Sequence, residues 1–278
     1  MRRIATVAVT NEILQTYDLY AKKKYGQNFI IDPQIITKIV TYANINQDTT
    51  VIEVGPGIGA LSQGLCEVAK KVIAYEIDED MVNVLHHEFK DVENFTVNHQ
   101  DFLTVKLDEV LNGLDNVKVV ANLPYYITSK LIEKMALEGS GQIEELVVMV
   151  QKDVAVKMAT SEDLRDRLPL TLFLKSIADV EILFDVPRHV FNPAPHVDSS
   201  ILNIRFHKDG KIEDQKHFYQ FLKIAFNQRR KTLSNNLKQV KMTKDLKAIL
   251  EELHLPEGVR SEALSIDELY HIFKYCTF

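Results

Sequence analysis

Residues 50–69 read TVIEVGPGIGALSQGLCEVA. The first six residues are an apolar, β-branched run, as in a strand buried on both faces. Glu53-Val54-Gly55-Pro56-Gly57-Ile58-Gly59-Ala60 then leaves the strand and opens a helix. Glycine there lets the chain turn tightly and lets a ligand approach without a Cβ in the way. The same alternation continues on both sides. A helix is expected over 34–43, strands over 71–78, 95–101, 117–123 and 144–151, and helices over 79–89 and 129–139. Alternating β and α units imply a parallel sheet covered by helices, joined by right-handed crossovers. LTLFLKS (170–176) and VEILFDV (180–186) read as a β-hairpin turning at Ala178-Asp179, and pairing with 200–207 closes the sheet. From residue 213 the period is helical. The fold class expected is α/β, a Rossmann-like sheet with a small C-terminal all-helical domain. Its divisions are an N-terminal basic arm (1–33), a Rossmann-like domain (34–209) and a helical domain (210–278).

Composition sets bounds on function. The 278 residues are 46% hydrophobic and 26% charged, an ordinary globular balance. Two cysteines, Cys66 and Cys276, are too few for a disulfide framework or a Cys-rich zinc site, and point to a reducing, cytoplasmic setting. The apolar stretch after Arg2-Arg3 is too short for an export signal, and no window has the length of a membrane span. The net charge of −6 is unevenly spread. Residues 187–278 carry 15 Lys and Arg against 11 Asp and Glu, a net +4, while the remainder carries 18 against 28, a net −10. A polyanion would therefore be met by the C-terminal third and by the Lys22-Lys23-Lys24 cluster, if these are more than solvated lysines. The nine histidines have no metal-ligand company, and no metal is expected.

The glycine turn admits three readings. It is a plain strand-to-helix turn, a dinucleotide fingerprint with Ala60 in its third place, or a site for S-adenosylmethionine. Glu53 before the glycines suits a cationic amino-acid group better than a pyrophosphate. Pro56 removes a backbone donor that phosphate binding would use. Glu76, 21 residues beyond Gly55, ends the next strand, where a carboxylate can accept from both ribose hydroxyls. Asp101 ends the third strand and is placed to accept from an adenine amine. Alone it would read as a turn residue.

Asn122-Leu123-Pro124-Tyr125 follows the fourth strand. The lone pair of adenine N6 is delocalised into the ring, which makes the nitrogen a poor nucleophile. The side-chain oxygen of Asn122 and a neighbouring carbonyl would accept from the amine and aim its lone pair at a sulfonium methyl. Tyr125 is placed to stack on the purine, and Pro124 holds the turn. No general base is required to begin, because the donor is already activated.

These stretches resemble the ribosomal RNA adenine N6,N6-dimethyltransferases, and most closely the KsgA-type branch acting on the small subunit. The likeness covers about residues 10–275. It rests on KKKYGQNFIID (22–32), IEVGPGIGALS (52–62), AYEID (74–78), NLPYYIT (122–128), MVQKDVA (149–155), FNPAPHVDSS (191–200) and QRRKTLSNN (228–236). The resemblance implies dimethylation of two adjacent adenosines near the 3′ end of 16S rRNA by a monomer acting on a pre-30S or 30S particle. It implies cofactor contacts at Asn28, Ile30, Gly55, Glu76, Asp101 and Asn122, to which the turn itself adds Gly57. The catalytic motif falls on Asn122, Leu123, Pro124 and Tyr125, with Phe191 near the target base, although Phe191 by type alone suits the core equally. Arg229, Arg230 and Lys231 are expected on RNA with Lys22, Lys23 and Lys24, since adjacent arginines suit phosphates; intradomain ion pairs are the plain alternative. One stretch departs from the family: MATSEDLRDRLPLT replaces the usual segment after QKDVA. Three alternatives stay open at this point: a large-subunit methyltransferase conferring macrolide resistance, a non-catalytic assembly factor on the same fold, and an NAD-dependent dehydrogenase.

Overall fold

The protein is described by a computed structural model covering residues 2–160, 168–210 and 212–278, with the side chain of Lys23 also outside the described set. The chain divides into two compact units, 1–156 with 180–206, and 157–179 with 207–278.

The first unit begins with α1 (Val7–Thr16), a short strand β1 (Phe29–Ile30) and α2 (Pro33–Tyr42). Then come β2 (Thr50–Val54), α3 (Ala60–Cys66), β3 (Lys71–Glu76), α4 (Glu79–Glu88), β4 (Phe95–His99) and α5 (Leu107–Leu111). It continues through β5 (Val117–Asn122), α6 (Thr128–Gly139), β6 (Ile143–Gln151) and the start of α7 (Lys152–Ala159). After the excursion into the second unit, β7 (Ala178–Val186), β8 (Phe191–Asn192) and β9 (Ser199–Phe206) complete it. The main sheet runs β4-β3-β2-β5-β6-β9-β7. β2 through β6 are parallel, and β9 is antiparallel to β6, with Met149 opposite Ile201. Every residue of β2 is buried, as a strand covered on both faces requires. From β2 the chain moves outward to β3 and β4, then returns to the other side of β2 as β5. That reversal opens a crevice beyond the carboxyl ends of β2 and β5, which is where open α/β sheets bind ligands.

The basic arm expected over 1–33 packs within this unit over its described residues, 2–33. Ile4 and Ile13 are completely buried in the core beneath the sheet, each worth roughly 1.5–3 kcal/mol of apolar burial. The Ile4 N–H donates to Gln63 Oε1 at 3.0 Å, and Phe29–Ile30 pairs antiparallel with Phe191–Asn192. The proposed hairpin is half helix: residues 170–176 lie in α8 (Pro169–Ile177), and only the 180–186 half lies in a strand, β7, beside β9. Pro169 at the first turn is preorganised for a helix, and the apolar run LTLFL fits a buried helix as well as a strand. Residues 161–167 of the divergent loop lie outside the described residues.

The second unit holds α8 with α9 (Gln215–Ala225), α10 (Leu233–Asn236), α11 (Leu246–Glu252) and α12 (Ile266–Phe273). Its core is aromatic. Phe218 meets Phe273 and Tyr270 edge-on, each at 5.3 Å between ring centres, and Phe173 meets Tyr219 at 5.0 Å. Ser265 and Glu268 form a reciprocal capping box at the start of α12. The unit is not purely helical: β10 (Lys241–Met242) pairs with β11 (Cys276–Thr277).

Candidate active site

The crevice at the reversal is a single cleft lined by the glycine turn, the ends of β3 and β5, the turn after β4 and the 25–30 segment. Asn28, Ile30, Gly55, Gly57, Glu76, Asp101 and the whole Asn122–Tyr125 turn border it, so residues almost a hundred positions apart meet in one place.

The glycine turn is shaped by what surrounds it. Gly59 has φ of 89° and caps α3, and a Cβ there would lie 2.4 Å from the Phe89 ring. Gly57, at φ of 59°, faces Phe29, whose ring would be 3.3 Å from an added Cβ. No side chain fits either position without displacing an aromatic wall. The turn also presents the Gly57 N–H to Glu76 Oε2 at 3.1 Å.

Glu76 is 5% exposed, and its carboxylate is held on both oxygens. Oε1 accepts from the Ile77 and Asp78 N–H groups at 2.9 Å each, and Oε2 accepts from Gly57. Burial raises its pKa, and the three backbone donors oppose the rise. The three bonds take up both sites on Oε1 and one on Oε2, so one acceptor site, on Oε2, is left. Glu53 is the contrasting carboxyl. It is 1% exposed and accepts from Ser62 Oγ at 2.6 Å. Burial pushes its pKa up to about 8, with the Ser62 hydroxyl pulling down and the Glu76 charge adding to the rise. At neutral pH Glu53 is largely the neutral acid.

Asn122 ends β5 half-buried. Its Nδ2 donates to the backbone carbonyl of Asn28 at 3.2 Å, which fixes the amide plane and leaves Oδ1 as the acceptor. The Asn28 side chain folds back, donating from Nδ2 to the Gly26 carbonyl at 2.9 Å. Tyr125 is pinned at its tip by Ser199 Oγ, 2.6 Å away, and burial raises its pKa. Thr128 Oγ1 donates to the Pro124 carbonyl at 3.0 Å, closing the turn onto α6. Asp101 caps the 102–104 turn by accepting from the Leu103 N–H at 2.9 Å and still borders the cleft. The plain turn role and a ligand role are compatible at this residue.

Other sequence-derived candidates fall elsewhere. Phe191 does not border the cleft. It is 3% exposed and packed in the core, because β8 pairs with β1 in the register that sets Phe191 opposite Ile30. Lys22 is not an open phosphate donor either. Its ammonium sits 2.7 Å from Asp78 Oδ1 and also bonds Asp80, and these carboxylates raise its pKa. Lys24 is exposed, with its ammonium over the Tyr25 ring at 4.4 Å. In the helical unit, Arg230 and Lys231 are exposed in the turn before α10, while Arg229 Nε is 3.4 Å from Glu262. Gln27, Tyr126 and Ser199 were not singled out from the sequence. All three lie inside quoted stretches, Gln27 and Tyr126 beside residues that were named. Ser199 lies 74 positions from the Tyr125 it holds, and nothing in the sequence links the two.

The profile of the family described as ribosomal RNA adenine dimethylase matches residues 19–277. A protein of Bacillus licheniformis named ribosomal RNA small subunit methyltransferase A is 40% identical over 276 residues, spanning 95% of this chain and 94% of its own length. One of the same name from Fusobacterium nucleatum is 39% identical over 258 residues, covering 91% and 96%. Among solved structures, a dimethyladenosine transferase from Plasmodium falciparum superposes with a TM-score of 0.74 at 26% identity, covering 90% of this chain and 99% of that one. The 23S rRNA methyltransferase ErmE superposes at 0.67 with 24% identity, covering 89% and 98%, a likeness of fold. The methyltransferase family calls for a donor of the S-adenosylmethionine type, and sets aside the dinucleotide reading of the glycine turn. With the family profile spanning nearly the whole sequence and relatives aligned end to end, this chain belongs to the ribosomal RNA adenine dimethylase family.

Proposed function

We propose that this protein transfers methyl groups from S-adenosylmethionine to N6 of two adjacent adenosines near the 3′ end of small-subunit rRNA, acting as a monomer on a pre-30S or 30S particle in the cytoplasm. The observation that carries it is Asn122. Its amide is anchored through Nδ2 and offers Oδ1 to a cleft that also presents the buried carboxylate of Glu76. The full-length relatives at about 40% identity carry the small-subunit name, whereas the large-subunit enzyme is a neighbour in fold.

The residues fit the cofactor. Glu76 has one acceptor site, on Oε2, beyond its three backbone bonds for a ribose hydroxyl, and Asp101 lies at the next strand end for an adenine amine. Asn28 and Ile30 border the cleft from the arm side, and Gly55 and Gly57 border it without a side chain of their own. Bound S-adenosylmethionine supplies a methyl group already activated on a sulfonium. The protein's part is to accept from the target amine at Asn122 Oδ1, to orient its lone pair, and to hold the purine against Tyr125. Leu123, 1% exposed, anchors the turn, and Pro124 fixes its shape. The Ser199 bond at the hydroxyl holds the Tyr125 ring in place. Phe191 reaches a base only if the 191–198 segment rearranges.

RNA is gripped by the exposed Arg230 and Lys231, with Arg229 and Lys24 as secondary contacts. Such contacts give salt-dependent affinity without sequence readout, so the shape of the assembled particle selects the site. The test is to incubate the purified protein with labelled cofactor and under-methylated small subunits, then digest the RNA. Label in N6,N6-dimethyladenosine is the expected result. Incorporation confined to naked large-subunit RNA, or no incorporation, overturns the assignment.

A further inference from the structure

One buried carboxylate outside the catalytic turn ties three parts of the cleft together. Asp78 follows the ribose-facing Glu76 by two residues and is 3% exposed. Its backbone N–H donates to Glu76 Oε1 at 2.9 Å. Its side chain receives the arm from two directions: Lys22 Nζ reaches Oδ1 at 2.7 Å, and Gln27 Nε2 reaches Oδ2 at 2.9 Å. Gln27 closes the ring by accepting the Lys22 backbone N–H on Oε1 at 2.8 Å. Both ends of the 22–27 segment are thereby fixed to the same carboxylate. The next residue, Asn28, supplies the carbonyl that holds Asn122 Nδ2 at 3.2 Å.

We propose that Gln27 and Asp78 are positioning residues for methyl transfer, forming a latch that sets the Asn28 carbonyl and, through it, the plane of the Asn122 amide. The inference rests on the catalytic reading of Asn122 given above. Charge-assisted bonds to a buried carboxylate are the strong ones, and two of them converge here on a stretch of six residues. Gly26, in the left-handed region at φ of 62°, lets the chain fold back between Lys22 and Asn28, and a Cβ added there would meet the Tyr126 ring at 3.5 Å. The lysine expected on RNA thus acts on the cofactor side of the molecule. Asp78 also caps α4 by accepting from the Asp80 N–H. A role confined to that cap would involve neither Gln27 nor catalysis.

Gln27→Met keeps the length of the side chain and removes both polar contacts. It is expected to lower kcat on under-methylated small subunits about tenfold, with KM for the particle unchanged, because a small misplacement of an orienting group acts on the chemical step. In an Asn122→Ala background the same substitution is expected to cost less than twofold, since the amide it positions is gone. Asp78→Asn keeps a good helix cap and is expected to lower kcat in the same way. Hydrogen exchange of the 20–30 amides in the free protein is expected to quicken in both variants. Wild-type activity matched by Gln27→Met within twofold overturns the latch, as does a full tenfold loss that persists in the Asn122→Ala background. A wild type inactive on small subunits fails the functional assignment instead, and the latch as a positioning device with it.

Discussion

The cleft and the basic turn before α10 solve opposite problems. In the cleft the polar groups are buried and held: Glu76 by three backbone donors, Asn122 by the Asn28 carbonyl, Tyr125 by Ser199. In the turn, Arg230 and Lys231 stand in solvent on long flexible stems. On the proposed function, the difference follows from what each must recognise. A weakly nucleophilic amine reacts only when its lone pair is aimed, so the acceptor must be set before substrate arrives. A phosphate backbone presents charge at short intervals, and a mobile cation finds it without a fixed geometry. Substitutions in the two regions should therefore fail in different ways.

The largest effect belongs to Asn122→Ala. Losing one preorganised acceptor should cost about 10²–10³ in kcat under single-turnover conditions. Affinity for the ribosomal particle should change little, since Oδ1 is one contact among many. A variant that loses RNA binding instead would erase the division between the regions.

Next is Glu76→Gln. An amide cannot accept on both sides as the carboxylate does, so the backbone donors of Gly57, Ile77 and Asp78 and any ribose hydroxyls compete for one oxygen. S-adenosylhomocysteine should bind about 10- to 100-fold more weakly by calorimetry, the equivalent of one or two bonds to a charged group. RNA affinity without cofactor should be unaffected.

Arg230→Ala with Lys231→Ala makes the reverse case. The pair should weaken particle binding about tenfold at physiological salt and flatten the slope of log K against log salt by about one or two. At saturating substrate kcat should hold. A fall in kcat would show that these cations also place the target base.

The sheet and most of the cleft were legible because each rests on a local signal: β-branched runs, glycines at a strand end, a carboxylate at the next strand end. What was not legible depends on partners distant in the chain. LTLFLKS is apolar throughout, and only packing against α9 decides that it is helix, with Phe173 on Tyr219. Lys22 reads as a phosphate contact until Asp78 and Asp80, some 56 and 58 positions later, are found beside it. Phe191 sits in a segment whose likeness suggests a base contact, yet the two-residue ladder with β1 turns it into the core. In each case the residue type allowed both outcomes, and a tertiary neighbour chose.

The smallest effect concerns Glu53, the cleft carboxyl that is buried with no backbone donor among the described residues. Burial lifts its pKa to about 8, above the ordinary glutamate value near 4.5 that applies in the unfolded chain. Between those values the folded protein holds a proton that the unfolded chain has released, so stability declines as pH rises from about 4.5 to about 8. Below that window both states are protonated, and the contribution is fully present; above it the loss is complete. Glu53→Gln keeps an acceptor for Ser62 Oγ and removes the titration. Its melting temperature should fall less steeply than that of the wild type between pH 5 and 8, and should exceed it by a few degrees at pH 8. Differential scanning at matched ionic strength reads both curves. Parallel curves would mean that Glu53 is ionised in the folded protein across this range. The two cleft carboxyls would then be alike, and the neutral acid assigned at the floor of the cleft would be a second anion.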